Sequence, residues 1–230
     1  MTDSLISEQI RYYQERASEY DEWFLRQGRY DRGEETNRKW FAEIGEVRAA
    51  LVRFKPKGRV LEIAAGTGIW TQELLRHADH VTALDSSEDA LALCRERVGE
   101  AGGRLQTKVC DVFEWTPQDK YDVVFFSFWL SHVPEERFES FWNLVSSALA
   151  PGGRVFLVDS LYTPESTAQD HLLETNGVVE RKLNDGRSFR VVKVFHTPET
   201  LSEKLAKLGW VADLLATKTF FLYGPASREE

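Results

Sequence analysis

Short apolar runs alternate with amphipathic segments through the middle of the chain. Each run has the length and the apolar content of a strand that is buried on both faces. The segments between the runs place apolar residues three and four positions apart, as helices that pack on one side do. This alternation predicts an α/β fold in which a parallel sheet lies between two layers of helices. The predicted strands are 60–63, 80–85, 105–109, 121–128 and 154–159.

Two helices are predicted before the first strand, so that residues 1–56 form a helical cover. Residues 5–27 carry apolar and aromatic side chains at spacings of three and four, which predicts one helix. A second helix is predicted from about residue 35 to residue 54. The aromatic rings of the first helix either pack it on the sheet or, through Tyr13 or Tyr20, help to close a ligand cleft.

The last third of the chain departs from the alternation. Residues 160–175 are polar and are predicted to be loop or short helix. Two strand-like runs then flank Asn184-Asp185-Gly186-Arg187, which is a strong hairpin signal. Thr197 and Pro198 suit the N-cap and the first position of a helix. The remaining predicted strands are the hairpin strands 178–183 and 188–195 and the closing strands 210–216 and 219–223.

The hairpin carries an excess of basic residues in an otherwise acidic protein. This charge fits either a solvated outer face or a clamp for an anion, since arginine suits forked binding of oxygens and lysine acts as a point charge. A two-residue turn would pair Arg181 with Arg190 and point Lys193 the other way. A bulge at Gly186 would place Arg181 and Lys193 on one side. The sequence leaves both registers open.

The composition is that of one packed domain over residues 1–230, with an insertion at 160–196. Hydrophobic residues make up 42% of the 230. The net charge of −8 argues against a nucleic-acid partner, which would need clustered basic residues. The first ten residues are polar and no stretch approaches ~18 apolar residues, so we expect no membrane partner and a soluble, cytoplasmic protein.

The two cysteines, Cys94 and Cys110, show neither a metal-ligand spacing with histidines nor a disulfide framework. We therefore predict no metal site. The expected partner is a small-molecule substrate, bound by a monomer or a homodimer.

A turn of small residues follows the first predicted strand. Ala64, Gly66 and Gly68 let the backbone turn sharply and approach a ligand, and the next helix offers unpaired amide groups at its start. The dinucleotide fingerprint would need a third glycine where Thr71 stands, and a phosphate loop would need a lysine after Gly68. A ligand without phosphate fits better. A cationic one needs a nearby carboxylate, and Glu62 lies four residues before Gly66.

Polar residues follow the ends of the other predicted strands. Asp85 lies 17 residues past Gly68. Nucleotide-binding α/β folds place a carboxylate near this point on ribose hydroxyls, although Asp85 also fits an N-cap. Asp111, Ser127 and His132 follow later strands. Because the carboxyl ends of parallel strands meet at one edge of a sheet, we expect one ligand site there.

Residues 62–68, EIAAGTG, resemble the first motif of the class I S-adenosylmethionine (SAM) methyltransferases, with Ala64 in place of the first glycine. The resemblance implies a Rossmann-like fold with a mostly parallel seven-stranded sheet and one antiparallel edge strand. It implies SAM as cofactor and S-adenosyl-L-homocysteine (SAH) as product. It further implies that Asp111 binds the adenine amino group and that Val112 or Phe113 packs on the ring. The predicted cofactor-binding residues are Tyr13, Tyr20, Glu62, Ala64, Gly66, Thr67, Gly68, Trp70, Asp85, Ser86, Asp111, Val112, Phe113 and Ser127.

Residues 125–134 and 185–195, with the N-terminal YYxxRAxEYD stretch, resemble the phosphonate O-methyltransferases of dehydrophos biosynthesis. Such enzymes methylate a small phosphonate and surround it with a tyrosine, a histidine, an arginine and a lysine. The resemblance implies that all four matched residues bind the acceptor and that the tyrosine and the histidine are also catalytic. The matched residues are Tyr30, His132, Arg181 and Lys193.

The acceptor decides what His132 does. A phosphonate or carboxylate oxygen is anionic at neutral pH and needs no base, so His132 would only orient it. A phenol, amine or carbon acceptor would need His132 as a general base. We predict methyl transfer to an oxygen of a small anionic metabolite. The alternatives are a natural-product phenol, amine or carbon methyltransferase and a non-catalytic SAM-binding module.

Overall fold

A computed structural model describes residues 2–171 and 177–229. In this part of the chain the α-helices are α1 Thr2–Glu15, α2 Tyr20–Phe24, α3 Glu34–Phe54, α4 Ile69–Leu74, α5 Glu88–Val98, α6 Phe138–Ala148 and α7 Pro198–Ala206. The strands are β1 Arg59–Ile63, β2 His80–Asp85, β3 Leu105–Val109, β4 Tyr121–Ser127, β5 Leu149–Ser160, β6 Gly177–Lys182, β7 Ser188–Lys193, β8 Trp210–Ala212, β9 Leu215–Ala216 and β10 Phe221–Arg228. No helix within these ranges combines the length and the apolar character needed to cross a membrane.

The main sheet has the strand order β3-β2-β1-β4-β5-β10-β8, and the short β9 also pairs with β10. Strands β1 to β5 are parallel to one another, whereas β10 runs antiparallel to both β5 and β8. The predicted Rossmann-like, mostly parallel sheet is confirmed, with the antiparallel strand one place inside the edge. The strand order reverses between β1 and β4, and ligands of open α/β sheets bind at the carboxyl ends beside such a reversal.

Alternate residues of the central strand β4 pack on opposite faces of the sheet, as the two-residue period of a strand requires. Phe125 belongs to a buried cluster that includes Trp40 of α3. Phe126 lies on the other face, with its ring centroid 5.4 Å from that of Phe141 and 5.8 Å from that of Trp142 in α6. Both faces of the sheet are therefore covered, and the loops at its carboxyl edge are anchored in two apolar layers.

The predicted helix over 5–27 is broken, because α1 ends and a 3₁₀ turn leads into α2. The break turns the buried side chain of Arg16 into the interior, where its guanidinium lies over three aromatic rings. The rings are those of Tyr12, Tyr20 and Tyr30, at 5.6, 5.1 and 5.7 Å from the guanidinium carbon. These tertiary contacts outweigh helical continuity, which apolar spacing alone cannot reveal.

The closing strand predicted at 210–216 is divided into β8 and β9. Both pieces keep one register on β10, with Ala212 opposite Ala226 and Ala216 opposite Leu222. The interruption lies where the carbonyl oxygen of Asp213 comes within 2.3 Å of the position that a Cβ on Gly224 would occupy. The chain bends there because only a residue without a side chain allows that approach.

The hairpin of β6 and β7 forms a separate two-stranded sheet between β5 and α7. Its turn is closed by hydrogen bonds from Gly186 N–H to Leu183 O and from Leu183 N–H to Arg187 O, and Gly186 is left-handed with φ 88°. This is the three-residue turn with a bulge. In the resulting register Arg181 lies opposite Phe189, so Arg181 and Lys193 share one face of the hairpin.

Helix α1 holds the hairpin against the main domain. Gln9 accepts a hydrogen bond from Val192 N–H at 2.9 Å, and Glu8 forms an ion pair with Arg190 at 2.7 Å on the outer face. Tyr12 packs with apolar hairpin residues in a small buried cluster. Of the polar stretch predicted as loop or short helix at 160–175, residues 164–166 form a 3₁₀ turn, and 172–175 lie outside the described residues.

Candidate active site

A cavity of about 810 Å³ lies at the carboxyl ends of β1, β2 and β4, and we call it the glycine-turn cavity. Its wall includes the turn after β1, where Ala64 and Gly66 both have a φ of 55°. Ala64, which replaces the first glycine of the motif, thus takes a left-handed conformation that few non-glycine residues adopt. Ten of the fourteen predicted cofactor-binding residues line this cavity, namely Tyr13, Tyr20, Ala64, Gly66, Asp85, Ser86, Asp111, Val112, Phe113 and Ser127.

Asp85 links the glycine turn to the next loop. One of its carboxylate oxygens accepts the N–H of Gly66 at 2.8 Å, and the other accepts the N–H of Ser87 at 2.9 Å. Burial raises the pKa of Asp85, while these backbone hydrogen bonds oppose the rise. Ser87, rather than Asp85, is the N-cap of α5, because its hydroxyl accepts the N–H of Ala90. The N-cap alternative for Asp85 is therefore wrong.

Asp111 and Phe113 form another part of the wall of this cavity. Asp111 accepts the N–H of Phe113 at 2.9 Å, which fixes the loop after β3. The ring of Phe113 lies 5.6 Å from that of Trp129, and the guanidinium of Arg137 covers it at 5.1 Å. This wall thus offers a carboxylate beside a fixed aromatic ring.

Four predicted cofactor-binding residues do not line the cavity. The buried carboxyl of Glu62 accepts the hydroxyl of Thr71 at 2.6 Å, and burial raises its pKa to about 8. Thr67 donates its hydroxyl to Asp21 at 2.5 Å. Gly68 lies where a Cβ would fall 2.6 Å from the sulfur of Cys94, and Trp70 packs in the apolar core. These four residues contact the interior of the protein and not the cavity. Glu62 lies on the buried strand β1, and Trp70 lies on the buried side of helix α4.

A second cavity of about 560 Å³ lies between α1, the hairpin and the end of β5, and we call it the hairpin cavity. All four residues predicted to bind the acceptor line it, namely Tyr30, His132, Arg181 and Lys193. The prediction missed Arg16 and His171, which also line it. Arg16 stands in the quoted N-terminal motif, but the predicted unbroken helix gave no reason to turn it inward. His171 falls in a stretch without a periodic pattern.

His132 is held as a neutral imidazole. Its Nδ1 donates to the carbonyl of Val192 at 2.7 Å, since a carbonyl can only accept. Its Nε2 therefore accepts the hydroxyl of Tyr13 at 2.8 Å. Burial lowers the pKa of His132 well below its usual range, and the charge of Lys193 lowers it further. The basic lone pair of His132 is thus taken up by Tyr13.

Lys193 and Arg181 bring positive charge to the hairpin cavity. The ammonium group of Lys193 donates to the hydroxyl of Ser131 at 2.8 Å and lies 3.9 Å from the carboxylate of Asp159. Burial lowers the pKa of Lys193 to about 8 and also lowers the pKa of Arg181. Tyr30 is buried and accepts a hydrogen bond from Arg16 at 3.1 Å.

The two cavities share one wall, made of Tyr13, Tyr20, Phe128 and His132. Phe128 has a φ of 54°, which is strained for a bulky side chain. Its backbone N–H bonds to Val158 O at 2.8 Å, and its ring packs 4.7 Å from that of Trp23. A group that passes between ligands in the two cavities has to pass this wall.

The chain is similar to known methyltransferases in both sequence and structure. Residues 60–153 match a family described as a methyltransferase domain. The ubiquinone biosynthesis O-methyltransferase of Aeromonas salmonicida (strain A449) is 33% identical over 121 residues, which is 50% of each protein. The chain spans about half the length of this curated relative.

Two solved structures match almost the whole chain. The complex of DhpI with SAH is 38% identical, with 100% of this chain and 99% of that chain covered and a TM-score of 0.79. The complex of DhpI with SAM and HEP is 40% identical, with 97% of both chains covered and a TM-score of 0.78. These two similarities extend across the helical cover and the hairpin as well as the sheet.

Proposed function

Because this chain belongs to the class I SAM-dependent methyltransferases, we propose that it transfers the methyl group of SAM to an oxygen of a small phosphonate or carboxylate. SAM is its cofactor, as the SAM and SAH complexes of DhpI indicate. One observation carries the choice of acceptor. Arg16, Arg181 and Lys193 line the hairpin cavity, and no carboxylate is among the described residues of its lining. A cavity of this charge selects an anion.

The residues of the glycine-turn cavity fit SAM. Asp85 presents a half-buried carboxylate whose oxygens each keep a lone pair beyond these two backbone hydrogen bonds, as ribose hydroxyls require. Asp111 and Phe113 offer an acceptor and a ring for the adenine. When bound there, SAM supplies a methyl group on a sulfonium, which is already a good leaving group.

The remaining work of the protein is to align the acceptor and to exclude water. In this proposal Arg181 and Lys193 hold the anionic group so that one oxygen faces the shared wall. An anionic oxygen carries no proton to remove, which agrees with a neutral His132 whose Nε2 is engaged by Tyr13. His132 then positions Tyr13, and Tyr13 faces both cavities.

The test is methyl transfer from isotope-labelled SAM to a mixed pool of small phosphonates, carboxylates, phenols and amines, followed by mass spectrometry. We expect a labelled phosphonate or carboxylate ester. The Arg190→Ala variant is the matched control for Arg181→Ala in this assay, because Arg190 lies on the outer face of the same hairpin. Labelled phenol or amine without any ester would contradict the proposed acceptor.

A second candidate is a phenol or amine methyltransferase, and the 2.8 Å contact between Tyr13 and His132 favours it. Through this contact a proton could move from an acceptor to the tyrosine oxygen while the tyrosine proton moves to Nε2.

We expect His132→Ala to lower kcat by less than about tenfold with an anionic acceptor, because general-base catalysis is worth roughly 10²–10⁴-fold and is not needed there. Because the two side chains act through one contact, His132→Ala, Tyr13→Phe and the double variant should all lower kcat by the same factor in initial-rate assays, so that the two single losses do not add. A loss above about a hundredfold would support the base.

The pH dependence of acceptor binding tests Lys193. With a pKa of about 8, its ammonium is charged below that pH and neutral above it. We therefore expect the KM of a carboxylate acceptor to rise as the pH increases through about 8, while the carboxylate itself stays ionised. Lys193→Met should raise the KM at pH 7 and remove this pH dependence. The KM of SAM, measured over the same range, is the control, and a flat acceptor KM in the unaltered protein would contradict the assignment.

A further inference from the structure

Three donors on residues that line the hairpin cavity have no hydrogen-bond partner within the described part of the chain. They are the hydroxyl of Tyr12, Nδ1 of His171 and Nε of Arg16. The side chains of His171 and Arg16 are more than nine-tenths buried, with 8% of His171 and 7% of Arg16 exposed. Buried donors are rarely left unpaired, so each such atom beside a cavity calls for an explanation. An acceptor atom on a bound ligand is one.

The tautomer of His171 is fixed by its neighbour on the hairpin. The backbone N–H of Lys182 donates to Nε2 of His171 at 3.0 Å, so this nitrogen carries the lone pair. The proton of the neutral ring then lies on Nδ1. Burial lowers the pKa of His171 to about 3, and the charges of Arg181 and Arg29 contribute, so the ring stays neutral at physiological pH. The Nδ1–H of His171, a residue that lines the cavity, is therefore a neutral donor without a partner among the described residues.

Arg16 brings a charge that no carboxylate among the described residues balances with an ion pair. Its guanidinium donates one hydrogen bond, to the hydroxyl of Tyr30, and is otherwise surrounded by the rings of Tyr12, Tyr20 and Tyr30. Within the described residues no carboxylate forms an ion pair with it at 4.0 Å or less. A buried cation of this kind is expected to meet an anion, because an unpaired buried charge is costly.

The location of these donors separates them from the site of methyl transfer. Arg16 and His171 line the hairpin cavity alone, whereas Tyr13 and His132 line both cavities. Lys193 bonds to Ser131, next to His132, while His171 bonds to Lys182 near the turn of the hairpin.

We propose that the acceptor carries a second anionic group, and that Arg16 and the Nδ1–H of His171 hold this group at the end of the hairpin cavity away from the methyl donor. The inference rests on the proposed function and narrows it. The acceptor class is a two-headed acid, either a phosphonocarboxylate or a dicarboxylate. One acid group lies beside Lys193 and receives the methyl group, and the other lies beside His171.

Matched acceptors that differ only at the distal end test this inference. The pairs are 3-phosphonopropionate with propylphosphonate, and succinate with butyrate. In each pair a carboxylate replaces a methyl group of similar size. We expect kcat/KM to be about tenfold or more higher for the two-headed member, the effect of one charge-assisted hydrogen bond. Equal values within both pairs would overturn the inference.

Variants assign the preference to these residues. His171→Ala should bring the ratio within each pair towards one, and His171→Gln should restore part of it, because an amide also donates. Arg16→Gln should act in the same direction, and Arg16→Lys keeps the charge in case loss of the guanidinium impairs folding. Arg190→Ala should leave the ratio unchanged, and thermal unfolding checks that each variant is folded. An unchanged ratio in His171→Ala would overturn the inference.

Binding separates the failure of this inference from the failure of the proposed function. Calorimetry with the SAH-bound protein measures the affinity of both members of each pair without any reaction. Tighter binding of the two-headed acids, lost in His171→Ala, would support the second subsite even if the methylated group proved not to be an acid. Methylation of phosphonates or carboxylates without any preference in either assay would keep the proposed function and overturn the second subsite.

Discussion

Replacing Arg181 with alanine is expected to raise the KM of an anionic acceptor by at least about 30-fold, because loss of one partner from a buried charge contact costs roughly 2–5 kcal/mol. The bulge at Gly186 places Arg181 on the face of the hairpin that lines the cavity, together with Lys193. The guanidinium contacts an anion that is charged both before and during methyl transfer. Its loss should therefore weaken ground-state and transition-state binding alike and leave kcat within about threefold.

Initial-rate kinetics with varied acceptor at saturating SAM measure this effect. Arg181→Lys should recover only part of the loss, since lysine cannot bind two oxygens in a fork. Arg190→Ala removes the same charge from the opposite face of the hairpin and should change neither constant. An acceptor KM that is unchanged in Arg181→Ala would show that the shared face of Arg181 and Lys193 is not an anion clamp.

The second large effect is expected for Asp85→Asn, which should weaken SAM binding by about 10- to 100-fold, or roughly 1.5–3 kcal/mol for hydrogen bonds to a charged group. The two carboxylate oxygens accept N–H groups from Gly66 and Ser87. An asparagine offers one oxygen and one NH₂, so one of these backbone donors would face another donor. The change therefore both removes the charge and disturbs the loop that carries the ribose acceptor.

Calorimetric titration with SAM gives the dissociation constant of this variant, and thermal unfolding shows whether the protein remains folded. Asp122→Asn is the matched control. Asp122 also accepts a backbone N–H, that of Arg59 at 2.8 Å, but it lies at the opposite end of the sheet. A SAM affinity in Asp85→Asn equal to that of Asp122→Asn would remove Asp85 from the cofactor site.

The sheet and the glycine turn are predictable from sequence because local patterns determine them. Each parallel strand is a short apolar run, and Gly66 and Gly68 mark the turn by needing left-handed backbone. The hairpin register is different. It depends on the φ of Gly186, and the same residues in a two-residue turn would point Lys193 away from Arg181.

The parts of the site that prediction missed depend on contacts between distant segments. Arg16 enters the cavity only because the N-terminal helix breaks against three tyrosine rings, and His171 is oriented by a backbone N–H of the hairpin. Glu62 and Trp70 belong to the recognisable sequence around the turn, but strand and helix geometry direct them into the buried interior.

The residues that line the hairpin cavity and those that line the glycine-turn cavity are distributed differently along the coding sequence. The glycine-turn cavity collects residues from Ile6 to His132, so it is dispersed over more than half of the coding sequence. His171, Arg181 and Lys193 instead come from the single insertion between β5 and α7. Recombination or cassette mutagenesis of that one block exchanges most of the charged lining of the hairpin cavity while every strand of the parallel sheet is retained. Directed evolution towards new acceptors therefore has a compact target in this gene.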